Sequence, residues 1–283
     1  MSVSARSGRF TYEGRSLAYT DYGEGPRVCV LLHGLLLSQR MHEPLARSLA
    51  ERGNRVITLD LLGHGLSDRP VETACYSMTF FGRQTIALLD HLGIDEAVVL
   101  GTSLGANTAL EAAAASPERL RGMVIEMPVL DTALLACALA FTPLMIALSF
   151  GEPLMRLVQV GARQVPKLPW ALDFLVDMVR QDPAPGAAVL QGLFFGRIAP
   201  HRTERRTMLT ETLVIGHRRD PLHPLTDAGL LAEELPNARL LEASSIVELR
   251  VAPARLTGEI AEFIDECWRP RRAEPKPRAK RAS

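Results

Sequence analysis

The chain has 283 residues, of which 47% are apolar, 23% are charged and 5% are aromatic. This length is sufficient for one large domain or for one domain with an insertion, and the apolar content excludes a disordered chain. Four scattered cysteines exclude a disulfide scaffold and show neither zinc nor redox spacing. The first ten residues lack the apolar stretch of a secretory signal, so we expect a reduced, cytoplasmic setting.

The formal net charge is zero, with 32 basic and 32 acidic residues, but the charges are unevenly distributed. Residues 269–283 hold seven basic residues and one acidic residue, whereas residues 1–268 hold 25 basic and 31 acidic residues. The main part of the chain is therefore mildly acidic, which argues against a nucleic-acid-binding fold. We expect the basic tail over 269–283, which is rich in proline and arginine, to be disordered.

Strand patterns alternate with helix patterns along most of the chain. A pair of strands is predicted within Thr11–Tyr22, and the apolar run Arg27–Gly34 is typical of a strand buried on both faces. Later patterns predict strands over Arg55–Asp60, Ala97–Ser103, Arg121–Pro128, Thr212–His217 and Ala238–Ser244, and helices over His42–Gly53, Phe80–Leu92, Leu104–Ala115, Leu225–Leu235 and Leu256–Trp268. This alternation predicts an α/β fold with a mostly parallel sheet covered by helices on both sides.

One segment, residues 130–206, departs from this alternation. Its stretch Thr132–Gly151 contains no charged residue and is about as long as a membrane-spanning helix. Pro143 interrupts the stretch, basic flanks are missing and strand patterns lie on both sides. We therefore predict a helical cap that packs over a pocket, without stable membrane insertion. Contact of this cap with a membrane surface has no support from a basic helical face.

The pattern Gly101-Thr102-Ser103-Leu104-Gly105 matches G-x-S-x-G and lies between a predicted strand and a predicted helix. A serine on a tight strand-to-helix turn projects out of the sheet, and flanking glycines let the backbone segments approach closely. The amides at the start of the following helix point toward negative charge that develops at the serine. Ser103 is therefore the candidate nucleophile.

A second turn, His33-Gly34, follows an early strand. Such a turn aims a backbone N–H, that of Leu35, into the same site, where it forms an oxyanion hole together with the N–H of Leu104. His33 itself is interpreted as a residue that braces the loop rather than as the catalytic base.

Four motifs then occur in the order and approximate spacing of the α/β-hydrolase superfamily: HG at 33–34, DLLGHGLS at 60–67, GTSLG at 101–105 and IGHRRDPLHP at 215–224. Over residues 9–268 the chain resembles the cap-bearing esterase, lipase and haloperoxidase-like members. The resemblance implies an eight-stranded sheet, Ser103 as nucleophile and a structural loop at 60–67, so that His64 is not catalytic. The expected division is a core over 1–129 and 207–268 with a cap over 130–206 inserted after the sixth strand.

The resemblance also implies an acid after the strand that follows the cap, which is Asp220 in this chain. The acid holds an imidazole in the required tautomer and stabilises imidazolium. An ordinary Asp-Pro turn is the other interpretation of Asp220. Glu126, at the end of the strand before the cap, is the fallback acid; its other interpretation is a carboxylate that lies at the edge of the site or is paired.

The catalytic histidine of the family lies between the last strand and the last helix, and this chain has none there. By the resemblance it would fall near Ile246, but none of the seven histidines follows His223. Three of them remain open as the base: His223, His217 and His201. His223 is the first choice because it adjoins Asp220, and a base must reach about 3 Å from the serine oxygen.

Two functions are compatible with these observations. The first is a serine hydrolase that acts on an ester or thioester with an apolar acyl part. The lipophilic residues of the cap motivate this substrate class: Leu134, Leu135, Leu139, Phe141, Leu144, Met145, Ile146, Phe150, Phe194 and Phe195. The second is a non-catalytic or weakly catalytic protein of the same fold that binds an apolar ligand or a partner, motivated by the missing histidine near Ile246. Neither function requires a cofactor or a metal, no nucleic acid is expected as a partner, and the oligomeric state stays open.

Overall fold

The computed structural model describes residues 3–166, 168–170, 173, 176, 179–194 and 196–270. Within these residues the strands are β1 (Ala5–Tyr12), β2 (Arg15–Tyr22), β3 (Arg27–Leu32), β4 (Asn54–Leu59), β5 (Ala97–Thr102), β6 (Leu120–Glu126), β7 (Thr212–His217) and β8 (Ala238–Ala243). They form one eight-stranded sheet in the order β1-β2-β4-β3-β5-β6-β7-β8. β1 and β2 are antiparallel to their neighbours, and the other strands pair in parallel.

Helices cover both faces of this sheet. The helices among the described residues are α1 (Glu43–Glu51), α2 (Met78–His91), α3 (Leu104–Ala115), α4 (Ala133–Phe150), α5 (Glu152–Gln164), α6 (Pro183–Phe194), α7 (Arg202–Arg205), α8 (Leu225–Glu234), α9 (Glu248–Val251) and α10 (Ala254–Cys267). One core cluster joins the sheet to α2, α3 and α8, and the other joins it to α1 and α10. Every residue of β5 and β7 is buried, as expected for central parallel strands.

The predicted α/β fold is therefore confirmed, and most predicted element ends agree with the structure to within two residues. The first strand is the exception, because it begins at Ala5 rather than near Thr11. β1 is an edge strand whose first residues are exposed, so it carries no alternating apolar signal in that part. The short helix α9 was not predicted.

Among the described residues between β6 and β7, the helices α4 to α7 follow one another. Among the described residues, one helix, α4, is both long enough and apolar enough to cross a membrane. Its mean hydropathy is 2.2. Only 6% of that helix is buried, unlike a core helix. The domain limits over 130–206 remain a prediction. Phe195 and the tail beyond Pro270 lie outside the described residues.

Candidate active site

Ser103 lies on the sharp turn between β5 and α3. Its backbone adopts a φ of +55°, a value that is unusual for a residue with a side chain. A Cβ atom on Gly101 would come within 2.0 Å of the Gly105 carbonyl oxygen, and one on Gly105 would come within 2.2 Å of the Leu32 carbonyl oxygen. The two glycines of the motif are therefore required by close backbone approach, as the sequence pattern indicated.

The hydroxyl of Ser103 contacts His223, which in turn contacts Asp220. Ser103 Oγ lies 2.9 Å from His223 Nε2, and His223 Nδ1 lies 3.0 Å from Asp220 Oδ2. Because the carboxylate can only accept, the imidazole proton belongs on Nδ1, and Nε2 is left to accept from the serine hydroxyl. This is the connectivity of a nucleophile, a base and an acid that orients the base.

A single turn after β7 supplies both Asp220 and His223. Asp220 Oδ1 accepts hydrogen bonds from the backbone N–H groups of Leu222, at 2.9 Å, and His223, at 3.0 Å. These bonds wrap the chain around the carboxylate, and the preceding Arg219 has a φ of +60°. Burial by itself raises the pKa of Asp220, but the hydrogen bonds from His223 outweigh it and lower that pKa. Asp220 is thus held in its ionised form.

The other two histidines that were open as the base have different partners. His217 Nδ1 donates to the Ser245 carbonyl oxygen at 2.8 Å, and its Nε2 lies 3.4 Å from Glu126 Oε1. His201 begins α7, where its Nδ1 accepts from the backbone N–H of Thr203. Both side chains are therefore engaged away from the serine hydroxyl.

The histidines of the two earlier motifs brace loops. His33 Nε2 accepts from the backbone N–H of Leu61 at 3.1 Å, and His64 Nδ1 donates to the Leu62 carbonyl oxygen at 3.0 Å. Burial holds the pKa of His64 well below its usual range, so this ring is neutral. These contacts agree with the structural roles expected for both residues.

Glu126 is the centre of a separate buried cluster. Its carboxylate accepts from the Arg250 guanidinium at 2.7 and 3.2 Å and from the Thr102 hydroxyl at 2.5 Å. Burial raises the pKa of this carboxyl, but the charge and hydrogen bonds of Arg250 together with those of His217 outweigh burial and hold the pKa far below its ordinary value. Although burial lowers the pKa of His217, the Glu126 carboxylate raises it overall. Of the two interpretations of Glu126, the geometry matches the paired carboxylate.

Arg250 is the residue that sequence reasoning missed. It comes from α9, within the segment where the family histidine would lie, and it also donates to Thr102 Oγ1 at 3.0 Å. Ile246, at the expected histidine position, is 43% exposed. The sequence offers one signal for such a pair. A carboxylate ends the apolar strand pattern before the cap, and an arginine lies in this later segment.

Ser103 opens into a cavity of about 730 Å³. Leu35 and Leu104, the candidates for the oxyanion hole, line the same cavity. Its walls are mostly apolar and come from α4 and α6: Leu134, Cys137, Ala138, Phe141, Leu190, Leu193 and Phe194. Near α7 the rim is polar, with His201, Arg202 and Arg206. Within the described ranges, no group of three or more histidine, cysteine or acidic side chains is arranged to hold a metal ion.

Comparison with known proteins places this chain in a family. The profile of the α/β hydrolase fold matches residues 28–245. The chain is 30% identical over 238 residues to 2-hydroxymuconate semialdehyde hydrolase of Pseudomonas putida, covering 78% of this chain and 79% of the relative. These similarities support a hydrolase activity of the α/β-hydrolase kind.

Solved structures show the same fold. The enol-lactonase from Burkholderia xenovorans LB400 superposes with a TM-score of 0.73 at 20% identity, covering 91% of this chain and 100% of that one. A thermophilic esterase from Thermogutta terrifontis superposes with a TM-score of 0.71 at 19% identity, covering 93% and 99%. The chain therefore belongs to the α/β hydrolase fold family.

Proposed function

We propose that this protein is a serine hydrolase that cleaves an ester or thioester with an apolar acyl part, through an acyl-enzyme on Ser103. The observation that carries the proposal is the continuous hydrogen-bonded chain from Ser103 Oγ through His223 to Asp220. A serine hydroxyl is a weak nucleophile at its free pKa, and an adjacent base is what activates it. His223 satisfies that requirement without a histidine near Ile246.

The reaction follows from the positions of these groups. His223 Nε2 takes the Ser103 proton as Oγ bonds to the acyl carbon, while the N–H groups of Leu35 and Leu104 stabilise the oxyanion. The bond to the alcohol or thiol then breaks, and the imidazolium returns its proton to that leaving group. A water molecule, deprotonated by His223, cleaves the acyl-enzyme and releases the acid. Asp220 keeps the imidazole in the required tautomer throughout.

The cavity supports the substrate class. Most of its lining side chains beyond Ser103 are apolar, and its volume is within the range of small-molecule sites. An acyl chain that occupies the space between α4 and α6 loses its hydration without leaving a polar group unpaired. The similar proteins that are named as a hydrolase, an enol-lactonase and an esterase support the same reaction class. A cytoplasmic setting remains part of the proposal, with all four cysteines free.

Covalent labelling with a fluorophosphonate tests the proposal. We expect stoichiometric labelling of the wild type and none of Ser103→Ala, while the matched control Ser48→Ala, on α1, labels normally. Hydrolysis of p-nitrophenyl esters is expected to favour medium acyl chains over acetate, because longer chains bury more apolar surface in the cavity.

The competing hypothesis, a non-catalytic ligand-binding protein of the same fold, predicts the opposite result. In that case Ser103 does not react and no ester or thioester is turned over, although fatty acids still bind in the cavity. Such a result would exclude the hydrolase.

A further inference from the structure

A second and smaller cavity lies between α4, α5 and α6. Its volume is about 100 Å³, and its apolar lining comes from Leu36, Leu144, Leu148, Met155, Val158 and Gly186. We call this space the distal cavity. The reaction proposed above makes no use of it.

One stripe of α4 residues, in the i, i+3, i+4 pattern, lines both cavities. Leu144 and Leu148 line the distal cavity. The members that precede them along the helix line the Ser103 cavity: Leu134, Cys137, Ala138 and Phe141. The two cavities therefore follow each other along the same side of α4.

Two other elements line the cavities in the same order. In the loop after β3, Leu35 lines the Ser103 cavity and Leu36 lines the distal cavity. On α6, which packs on α4, Leu190 lines the first and Gly186 the second. A Cβ on Gly186 would lie 3.5 Å from Leu148 Cδ1 and 3.6 Å from Leu36 Cδ2, so the three elements meet there. The cavities are thus consecutive parts of one cleft.

α4 leads from the catalytic residues to the distal cavity. The Cys137 thiol contacts the Leu222 carbonyl oxygen, at 3.8 Å from Sγ, and Leu222 directly precedes His223. An α-helix rises about 1.5 Å per residue, so Phe141 lies about 6 Å and Leu148 about 16 Å beyond Cys137 along the axis. A ligand that is bonded to Ser103 and follows α4 therefore meets the Phe141 ring before it reaches the distal cavity.

Phe141 lies at the boundary between the two cavities. It is the last residue of α4 that lines the Ser103 cavity, and Leu144, about one turn later, is the first that lines the distal cavity. Its ring is half-buried and is the largest side chain of the stripe. The ring thus occupies the level of the cleft at which one cavity gives way to the other.

We propose that Phe141 sets the upper limit of acyl-chain length by separating the Ser103 cavity from the distal cavity. This inference rests on the proposed function for its ligand, an acyl chain bonded to Ser103. A chain that ends before Phe141 fits the Ser103 cavity, whereas a longer chain meets the ring. When the ring is replaced by a methyl group, the chain extends into the distal cavity and buries further methylenes there.

The distal cavity determines how large this gain is. Each further buried methylene strengthens binding by about fourfold, so two of them give at least about tenfold. Arg69, Gln181 and Asp182 line the same small cavity, and an apolar chain that covered them would remove polar groups from water. We therefore expect an extension of about two methylenes rather than an unlimited one.

Hydrolysis of p-nitrophenyl esters from butyrate to palmitate by the full chain tests the proposal. Wild type is expected to show an optimum in kcat/KM, and Phe141→Ala is expected to move it about two methylenes longer. For the ester at the new optimum, Phe141→Ala is expected to exceed wild type about tenfold, while butyrate stays within about twofold. The matched control is Phe150→Ala on the same helix, where the side chain is 84% exposed. It is expected to keep the wild-type optimum.

A second substitution shows where the longer chain goes. A Cβ on Gly186 meets its neighbours at ordinary contact distance, so the methyl groups of Gly186→Val occupy the distal cavity. In the Phe141→Ala background, this change is expected to restore the wild-type optimum. An optimum that stays long would mean that the chain extends elsewhere, which contradicts the proposal.

Fatty acid binding to Ser103→Ala separates this inference from the hydrolase proposal. In titration calorimetry, adding Phe141→Ala is expected to tighten the binding of the longer acids about tenfold and to leave that of hexanoate unchanged. If this shift occurs but no ester is turned over, the hydrolase proposal fails and the chain-length limit holds. If esters are hydrolysed but Phe141→Ala and wild type share one optimum, the hydrolase proposal holds and the role of Phe141 is overturned.

Circular dichroism checks that each variant is folded. If Phe141→Ala does not fold, Phe141→Leu takes its place, because leucine keeps an apolar side chain at this position. Its expected shift is about one methylene, with a gain of about fourfold for the longer ester. Equal chain-length profiles for Phe141→Leu and wild type would likewise overturn the proposal.

Discussion

Two segments at the carboxyl ends of neighbouring strands differ in what they bring to the site. The turn after β7 supplies Asp220 and His223, which contact each other and Ser103. The segment after β8, where the family histidine would lie, supplies Arg250, which pairs with Glu126 below the serine turn. The comparison teaches that an acid and a base are recognised by reach and geometry rather than by their place along the chain.

The largest expected effect comes from the first segment. We expect His223→Gln to lower kcat/KM for an ester substrate by about 10⁴ or more, because Ser103 then has no base. The matched control is His91→Gln, at the end of α2, where the ring stacks on Phe10. It is expected to leave kcat/KM within about twofold of wild type, since this ring lies outside the site.

Steady-state kinetics on purified proteins decides this prediction. If His223→Gln keeps its activity while His217→Gln loses it, the base is His217 of the Glu126 cluster. The turn after β7 would then not supply the base.

The next effect belongs to the second segment and concerns stability. Glu126→Gln leaves the Arg250 charge largely buried without its partner, since that side chain is 12% exposed. We expect a loss of about 3–5 kcal/mol in the free energy of unfolding, measured by urea denaturation. Arg218→Met breaks the exposed pair with Glu242 and serves as the control, with an expected loss below about 1 kcal/mol. An equal loss in both variants would contradict a special role for the buried pair.

The pH dependence of this loss has a defined sign. The pKa of Glu126 is lower in the folded protein, so its contribution is present above the unfolded pKa of about 4.3 and declines as the pH falls below it. The pKa of His217 is higher in the folded protein, so its contribution is present below about 6.5 and is lost as the pH rises through the folded pKa. The difference between wild type and Glu126→Gln is therefore expected to be largest between about pH 4.5 and 6.5. A difference that grows toward acid pH would contradict this assignment.

The last prediction is that a relocated histidine does not restore activity. We expect the double variant His223→Gln, Ile246→His to remain as inactive as His223→Gln alone. Ile246 is 43% exposed, and Arg250 from the same segment already contacts Thr102 beside the nucleophile. A recovery of activity of tenfold or more would mean that both segments can serve the site, and the contrast between them would disappear.

Much of the fold was predictable because its signals are local. A Cβ on Gly101 would meet the Gly105 carbonyl oxygen within the same turn, and Ala97–Leu100 of β5 and Leu213–Ile215 of β7 are apolar and buried. Asp220 was a candidate because of its place in the family pattern, and His223 was a candidate because it lies three residues after Asp220. The choice among three histidines was left open, because the approach of His223 to Ser103 joins residues 120 positions apart.

Other features had no local signal. The pair formed by Arg250 and Glu126 spans 124 positions, and nothing in either segment alone specifies the partner. The exposure of α4 was also hidden, since a charge-free run has the same composition whether its sides are covered or not. Only the packing of α4 separates the side that lines the cavity from the exposed side.

The turn that holds both Asp220 and His223 has a consequence for dynamics. Because Asp220 Oδ1 binds the backbone of Leu222 and His223, the acid and the base move as one body. An opening of this turn would therefore withdraw both groups from Ser103 together. Under the proposed mechanism, turnover is then proportional to the closed population of one short loop, so that a ligand or substitution acting on this loop scales the rate as a whole.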